Sequence, residues 1–408
     1  MSGLVIVGGS YAGVQAAVSA REAGYAEDIK IVSDEHALPY QRPPLSKGFL
    51  LGTIEEPRLV IRAEKYFVER RIELVLGRRA TRIDRTGRSV LLDDGRALSC
   101  DRIVIASGSR ARSLPPAASA PGMHYLRSLE DARGLKQNLT ACNDLVVIGG
   151  GFIGLEVAAS AKKLGKNVLV IEGADRLIAR ALSPTLSDFL YQAHRKRGVD
   201  VRLSQTVQKI THHGGRYEVH CADGVLFAGD MILVGIGGIA NSEIAAEAGI
   251  ACENGILVDE FCRTNIAEVM AAGDCTLHQN PFAGRNIRLE SVQHAQDQAK
   301  SAGAAVAGKH VPYVSVPWFW SDQFDLKIQM VGLSDRHQMQ VVRGAPDEQK
   351  FSVFLYRDNK LIAVDSVNKP GDQLIARKLI TNTVSPTPEQ VADLSFDLKS
   401  LVPEGSPA

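Results

Sequence analysis

No two cysteines in this chain stand close enough to act as a redox couple. The six (Cys100, Cys142, Cys221, Cys252, Cys262 and Cys275) include no CxxC pair and no His/Cys spacing suited to a metal ligand set. That argues against a dithiol active site, a disulfide framework and a bound metal, and it suits a reducing compartment. Charge of one sign is lacking as well. Lys and Arg number 47 against 46 Asp and Glu, a net charge of +1, so the basic excess of a nucleic-acid-binding protein is missing. No apolar run is long enough to cross a bilayer. The strand-like Leu4–Val7 begins so early that no secretory signal is expected before it, and a cytoplasmic protein is expected. Tryptophan occurs only twice, at Trp318 and Trp320.

What is present is an ordinary globular composition, 45% hydrophobic and 23% charged, over 408 residues. A chain of that length exceeds one core of usual size, so two or three domains are expected. Its main feature is an internal repeat. Leu4-Val5-Ile6-Val7 runs into Gly8-Gly9-Ser10-Tyr11-Ala12-Gly13, an Ala-rich helical stretch, and a second strand Ile29–Val32 that ends at Asp34. Downstream, Leu145–Ile148 runs into Gly149-Gly150-Gly151-Phe152-Ile153-Gly154, another Ala-rich helix, and a strand Val168–Ile171 that ends at Glu172. Each copy is strand, glycine turn, helix, strand and acid, with about 20 residues from glycines to acid.

The chemistry of a dinucleotide demands those residue types. Gly8 and Gly149 permit the tight turn, and Gly13 and Gly154 allow close helix–strand packing. Gly151 lets the backbone approach a pyrophosphate, which the N–H groups of a helix N-terminus then bind. The acid accepts hydrogen bonds from a ribose hydroxyl. Ser10 stands where the first copy should carry its second glycine, and its side chain must turn away from the pyrophosphate or bond to it. Two such units imply two bound dinucleotides. Glu172 favours a free 2′-hydroxyl and repels a 2′-phosphate, which selects NADH; Arg176, a turn later, is the one group suited to oppose that.

Three further strands run into small-residue turns: Arg102–Ile105 into Ala106–Ser109, Met231–Val234 into Gly235–Gly238, and Val269–Ala272 into Gly273-Asp274. After about Pro312 the glycine-turn-helix pattern stops. Lys327–Val331, Gln338–Val342, Lys350–Tyr356 and Leu361–Val367 read as antiparallel strands with Asp358-Asn359 as a hairpin turn. A helix from Gly371 to Thr381 follows, and the tail Pro403–Ala408 is expected to be disordered. The fold class is therefore α/β, two Rossmann-like dinucleotide-binding domains followed by a C-terminal α+β domain.

Several segments together resemble the FAD-dependent NADH:ferredoxin reductases of bacterial oxygenase and P450 systems, the putidaredoxin-reductase-like branch of the glutathione-reductase-like flavoproteins. They are Leu38–Lys47 (LPYQRPPLSK), Val147–Glu156, Ala272–Cys275, Arg288–Val292 (RLESV) and Pro317–Gln323 (PWFWSDQ). The resemblance covers nearly the whole chain. It implies an FAD-binding domain in two parts, residues 1–111 and 235–312, interrupted by an NAD-binding domain at 112–234 and followed by the α+β domain at 313–408. It also implies FAD contacts from Ala12 and Gly13 at the pyrophosphate, Asp34 at the adenosine ribose, Ala80 at the adenine, Lys47, Arg127, Asp274 at the ribitol chain and Val292 at the flavin pyrimidine. Lys47 is expected near flavin N5, paired with Glu156 so that it keeps its charge. Trp320 is expected at the flavin on the ferredoxin side.

The implied partner is a [2Fe–2S] ferredoxin serving a mono- or dioxygenase, with no nucleic acid or membrane partner and an open oligomeric state. Lys300, Arg336 and Arg343 are candidates for a basic rim that steers an acidic ferredoxin. His294 reads as a surface helix residue, and Cys275 as structural. Other acceptors for the same chemistry remain open: rubredoxin, a quinone, monodehydroascorbate or oxygen. So does a redox-responsive interaction protein of the apoptosis-inducing-factor type.

Overall fold

The computed structural model describes residues 3–405. Of the tail expected to be disordered, residues 406–408 lie outside this range, and Glu404-Gly405 form a turn. In chain order, the elements that position the sites begin with β1 (Gly3–Val7), α1 (Tyr11–Glu22), β2 (Asp28–Ser33), β3 (Ile72–Leu76), β4 (Arg102–Ile105) and α2 (Leu129–Ala141). There follow β5 (Asp144–Ile148), α3 (Phe152–Lys163), β6 (Asn167–Ile171), α4 (Pro184–Lys196), β7 (Val199–Arg202), β8 (Met231–Val234), β9 (Val269–Ala271) and α5 (Val292–Val306). The last group is β10 (Trp318–Gln323), β11 (Leu326–Gly332), β12 (Met339–Ala345), β13 (Lys350–Arg357), β14 (Lys360–Val367) and α6 (Pro370–Thr381).

The chain divides into two compact units. Unit 1 holds Met1–Gln41, Glu56–Arg110 and Ile239–Ser315; unit 2 holds Arg42–Glu55, Ala111–Gly238 and Val316–Ala408.

Unit 1 is built on a five-stranded parallel sheet in the order β9-β4-β1-β2-β3. All five residues of β1 are buried, as expected of a strand covered on both faces. Helices α1 and α5 pack on each other through Ala16, Ala17, Ala20, Ala299 and Ala302, all fully buried. Gly303 makes this possible. A Cβ there would lie 2.6 Å from the Ala16 carbonyl oxygen and 2.7 Å from Ser19 Cβ.

Unit 2 repeats the motif in a four-stranded parallel sheet, β7-β6-β5-β8. The two copies share one register. Val7 pairs Val32 as Ile148 pairs Ile171, and the Gly8 and Gly149 N–H groups donate to Val32 and Ile171 carbonyls at 2.8 Å in both. The register also shows an offset in the acids: Ser33 is the counterpart of Glu172, and Asp34 comes one residue later.

Unit 2 also contains a five-stranded antiparallel sheet, β10-β11-β14-β13-β12, with α6 packed on β14 and β11. The turn between β13 and β14 has φ of 50° at Asp358 and 58° at Asn359, the paired left-handed geometry of a tight hairpin. Strand β10 was not legible as a strand. Its WFWSDQ sequence alternates, with Phe319, Ser321 and Gln323 on one face and Trp318 and Trp320 on the other.

Candidate functional site

The glycine turn of unit 1 follows β1. Gly8 has φ +121°, and a Cβ on it would collide with the Ala106 carbonyl, while one on Gly13 would collide with the Gly8 carbonyl. Both positions therefore require glycine, for the turn and for the closeness of helix and strand. Ser10 is the N-cap residue of α1 in an extended conformation, yet its side chain makes no capping bond, and the first turn holds no acid. The N–H groups of Ala12 and Gly13 precede the first helical bond, Val14 N–H to the Ser10 carbonyl at 2.9 Å. They and the Ser10 hydroxyl make a donor set suited to a pyrophosphate.

Elsewhere in unit 1, Asp34 is exposed and pairs with Arg79 at 3.4 Å, beside Ala80 at the start of the strand Ala80–Asp84. Gly273 has φ +89° and donates its N–H to Gln298 Oε1 at 2.7 Å. The next residue, Asp274, is half-buried; its Oδ2 accepts from the Ser109 hydroxyl at 3.2 Å. Ser291 caps α5 by accepting the His294 N–H at 3.1 Å, which leaves the Val292 N–H at the first helical position. This set of N–H donors and carboxylate acceptors, with the cradle that any Cβ would fill, fits FAD.

His294 lies two residues on and corrects the sequence reading. It is fully buried, with Nδ1 2.9 Å from the Tyr313 hydroxyl and its ring stacked 5.1 Å from His278. Burial lowers the His294 pKa to about 4 and that of His278 to about 3. The burial of His294 is completed by the Tyr313 and His278 rings, which a helical pattern alone does not reveal. Cys275 is fully buried, its thiol directed at the Ile105 and Ala272 carbonyls and its pKa pushed up to about 11 by burial, so it is structural as expected.

The glycine turn of unit 2 is the more complete copy. Gly149 has φ +106°; a Cβ on it would strike the Gly235 carbonyl, and one on Gly154 would strike the Gly149 carbonyl. Gly151 differs, because a Cβ there would meet nothing nearer than 3.8 Å. The space beside it is open, as an approaching pyrophosphate requires. Helix α3 has neither a side-chain cap nor an acid in its first turn. Glu172 is anchored by its own backbone surroundings: Oε2 accepts the Gly150 N–H at 2.6 Å and Oε1 the Ala174 N–H at 2.7 Å. Each oxygen keeps a lone pair for a ribose hydroxyl. Arg176 is spent elsewhere, donating to the carbonyls of Ala179 (2.5 Å) and Leu182 (2.8 Å) and to Ser187 Oγ (2.9 Å). The residues present fit NADH.

Also in unit 2, Lys47 follows the 3-10 turn Pro43–Ser46 and pairs with Glu156 Oε2 at 2.6 Å. Glu156 is 3% exposed and Lys47 19%. The same oxygen accepts from the Ser46 hydroxyl at 2.5 Å, and Oε1 accepts from the Ser321 hydroxyl at 2.7 Å. Ser46 and Ser321 were missed in the sequence, though both sit inside the segments that carry the resemblance. Arg127 is held at its backbone: its carbonyl accepts from Arg42 at 2.6 Å and its N–H donates to Asp131 at 3.0 Å. Trp320 is half-buried, its ring 5.3 Å from that of Trp318, while Phe319 on the opposite face packs on Phe152 at 4.7 Å.

The proposed basic rim needs one correction. Arg343 is 9% exposed and donates to the carbonyls of Val391, Asp393, Leu394 and Phe396. It fastens the C-terminal segment and is not a surface charge. Lys300 is exposed but paired with Asp297 at 2.7 Å, and Arg336 is exposed. Among the described residues no cluster of His, Cys, Asp and Glu is arranged to hold a metal, and no helix is long and apolar enough to cross a membrane.

Residues 2–299 match the family of pyridine nucleotide-disulphide oxidoreductases, and residues 318–402 match the reductase C-terminal domain. The chain is 45% identical over 398 residues to rhodocoxin reductase of Rhodococcus erythropolis, covering 97% of this chain and 93% of that one. It superposes on the crystal structure of the ferredoxin reductase for the CYP199A2 system of Rhodopseudomonas palustris with a TM-score of 0.96 at 42% identity, covering 99% and 100% of the two chains. The covalent putidaredoxin reductase–putidaredoxin complex gives a TM-score of 0.94 at 38% identity, covering 98% of both chains.

Proposed function

The chain belongs to the pyridine nucleotide-disulphide oxidoreductases and carries a reductase C-terminal domain, and from that premise we propose that it takes hydride from NADH onto FAD and passes single electrons to a [2Fe–2S] ferredoxin of a mono- or dioxygenase system. The observation that carries this is the pair of glycine turns in two separate parallel sheets, each opening on a helix N-terminus without a side-chain cap. Residues 1–111 and 235–312 form the FAD-binding domain on this reading, 112–234 the NADH-binding domain and 313–408 the domain that meets the ferredoxin. A ferredoxin partner is supported by the similarity to a reductase solved covalently joined to its putidaredoxin. The absence of a dithiol supports it as well, since all six cysteines are free and five are buried. The free thiols also support a cytoplasmic location.

FAD, when bound, supplies an acceptor for hydride and a donor of single electrons. The residues assigned to its binding are Gly8, Ala12, Gly13, Asp34, Lys47, Ala80, Arg127, Asp274 and Val292. The Val292 N–H, at the positive end of α5, is suited to stabilise negative charge. Lys47 contributes its ammonium, held 2.6 Å from Glu156 Oε2. Gly149, Gly151, Gly154 and Glu172 take NADH, Glu172 by accepting from the adenosine ribose. Trp320 walls off water and shortens the path for electrons leaving toward the ferredoxin.

Stopped-flow mixing tests the assignment. NADH should bleach the oxidised flavin absorbance within the mixing experiment, NADPH should do so far more slowly, and an oxidised [2Fe–2S] ferredoxin should restore it. Reoxidation as fast by quinone or oxygen as by any of a panel of ferredoxins would sink the ferredoxin assignment.

A further inference from the structure

The pair formed by Lys47 and Glu156 is the end of a longer buried string in unit 2. His194 of α4 sits 2.8 Å from Gln323 Oε1, Gln323 Nε2 donates to Ser321 Oγ at 3.1 Å, and the Ser321 hydroxyl donates to Glu156 Oε1 at 2.7 Å. His194, Ser321 and Gln323 are fully buried, and the His194 ring packs edge-on to Phe324 at 5.1 Å. The chemistry of each group fixes the sense of the string. An amide oxygen only accepts and an amide NH2 only donates. With Gln323 Oε1 toward the imidazole, His194 Nε2 carries the proton, and Nδ1, which has no partner, is a bare acceptor. Turning the amide around would leave a buried Nδ1–H without an acceptor and would draw the Ser321 proton away from Glu156, both unfavourable. Every donor in the string therefore points toward the carboxylate, and bonds aligned in this way polarise one another.

Glu156 divides its two oxygens unequally. Oε2 serves Lys47 and Ser46, and Oε1 serves Ser321. A carboxylate that is 3% exposed has no solvent to replace a lost donor, so its orientation depends on the hydroxyl that holds Oε1. Ser46 has a second anchor, since its carbonyl accepts from Ser160 Oγ at 2.8 Å. Ser321 is fixed at its backbone by the pairing of β10 with β11 opposite Ile328, and its hydroxyl is oriented by Gln323. We propose that His194, Gln323 and Ser321 are positioning residues for Lys47: their directed hydrogen bonds lock the Glu156 carboxylate in the orientation that pairs with the ammonium, and so set how Lys47 offers its charge in flavin reduction. The last clause rests on the reading of Lys47 given above, whereas the lock itself does not.

The test uses the holoenzyme and two readouts. Competitive acetylation by acetic anhydride, read by mass spectrometry, reports Lys47 reactivity relative to the exposed Lys65. Stopped-flow mixing reports the rate of flavin reduction by NADH. Loss of one hydrogen bond to a buried charge should show as a change of roughly ten- to a hundredfold in each. Ser321→Ala should raise Lys47 acetylation by that factor and slow flavin reduction with little change in NADH affinity. Gln323→Leu should do the same more weakly, and Ser321→Thr, which keeps the hydroxyl, should restore both readouts. If Gln323→Leu fails to fold, Ser321→Ala, which removes a single oxygen, carries the test. Unchanged Lys47 acetylation in Ser321→Ala overturns the proposal. Raised acetylation with an unchanged rate of flavin reduction supports the lock and rejects the role of Lys47 instead.

Discussion

Replacing Glu172 by alanine should abolish discrimination between NADH and NADPH without creating a preference for NADPH. Glu172 is half-buried, with its carboxylate held against the glycine turn by the Gly150 and Ala174 N–H groups at 2.6 and 2.7 Å. A 2′-phosphate in the ribose position would meet that charge within a few ångströms. Repulsion there is worth about 1–4 kcal/mol per unit charge, depending on the local dielectric. Loss of a bond from the 2′-hydroxyl to a charged acceptor adds about 1.5–3 kcal/mol. Taking the lower ends for a partly solvated site gives about 3 kcal/mol, or a preference for NADH of roughly a hundredfold or more. In Glu172→Ala, kcat/KM for NADH should fall about tenfold and that for NADPH should rise by a similar factor, bringing the ratio near one. Arg176 cannot carry the enzyme further toward NADPH, because its guanidinium is already bonded to Ala179, Leu182 and Ser187. The two freed N–H groups should cost about 1–2 kcal/mol of stability, visible as a lower melting temperature. The assay is steady-state reduction of cytochrome c through a saturating ferredoxin at varied NADH and NADPH. A ratio that stays above about a hundred in the variant, or one that inverts strongly toward NADPH, would refute the reasoning.

Three further outcomes are expected. Trp320→Ala should slow electron transfer to ferredoxin far more than flavin reduction by NADH; equal effects on the two half-reactions, followed separately by stopped flow, would reject its place on the exit path. His194, His278 and His294 have folded-state pKa values of about 4, 3 and 4 against 6.5 for the free group, all depressed by burial. The unfolded chain therefore takes up their protons first, so stability is full above pH 6.5 and is lost as pH falls toward 4; denaturant melts of His294→Gln should recover about 2 kcal/mol of the drop between pH 7 and 5. Gly303→Ala, whose new Cβ would press on the Ala16 carbonyl at 2.6 Å, should cost about 1–3 kcal/mol and lower the retained FAD content, whereas Gly308→Ala, with nothing within 4 Å but φ +75°, should strain only its own turn and leave FAD content unchanged.

Local signals carried far in this chain, and their limits are physical. The glycine turns, the strands before them, the Asp358-Asn359 hairpin and helix α6 were legible because each rests on backbone needs that only a few residues meet. Glu172 was legible for the same reason, since the acid follows its strand directly. Asp34 was less so: the register makes Ser33 the counterpart of Glu172, an offset that only strand pairing reveals. His294 was misread because a polar residue near a helix start suggests solvent, and its burial depends on Tyr313 and His278 arriving from distant segments. Arg343 was misread for a related reason, as the carbonyls that surround it lie about 50 residues on. Of the Glu156 string only the Lys47 pair was expected, and that from the resemblance; Ser46 and Ser321 were not, because their bonds join residues 110 and 165 positions apart.

The bare N-termini of α1 and α3 have a consequence for how the protein is assembled. Helices α2, α4 and α5 begin with a serine that accepts a backbone N–H (Ser128, Ser183 and Ser291), whereas α1 and α3 begin at a glycine turn with no side chain in that role. On the assignment proposed above, the phosphates of the ligand stand in for that acceptor and finish each helix as a cap would. Cofactor loading and the folding of each nucleotide domain are then one equilibrium, with stability rising by RT ln(1 + [L]/Kd). On the same assignment, FAD, which stays with the enzyme through the cycle, would be part of its domain's architecture, while NADH would complete α3 and leave it incomplete once in every turnover.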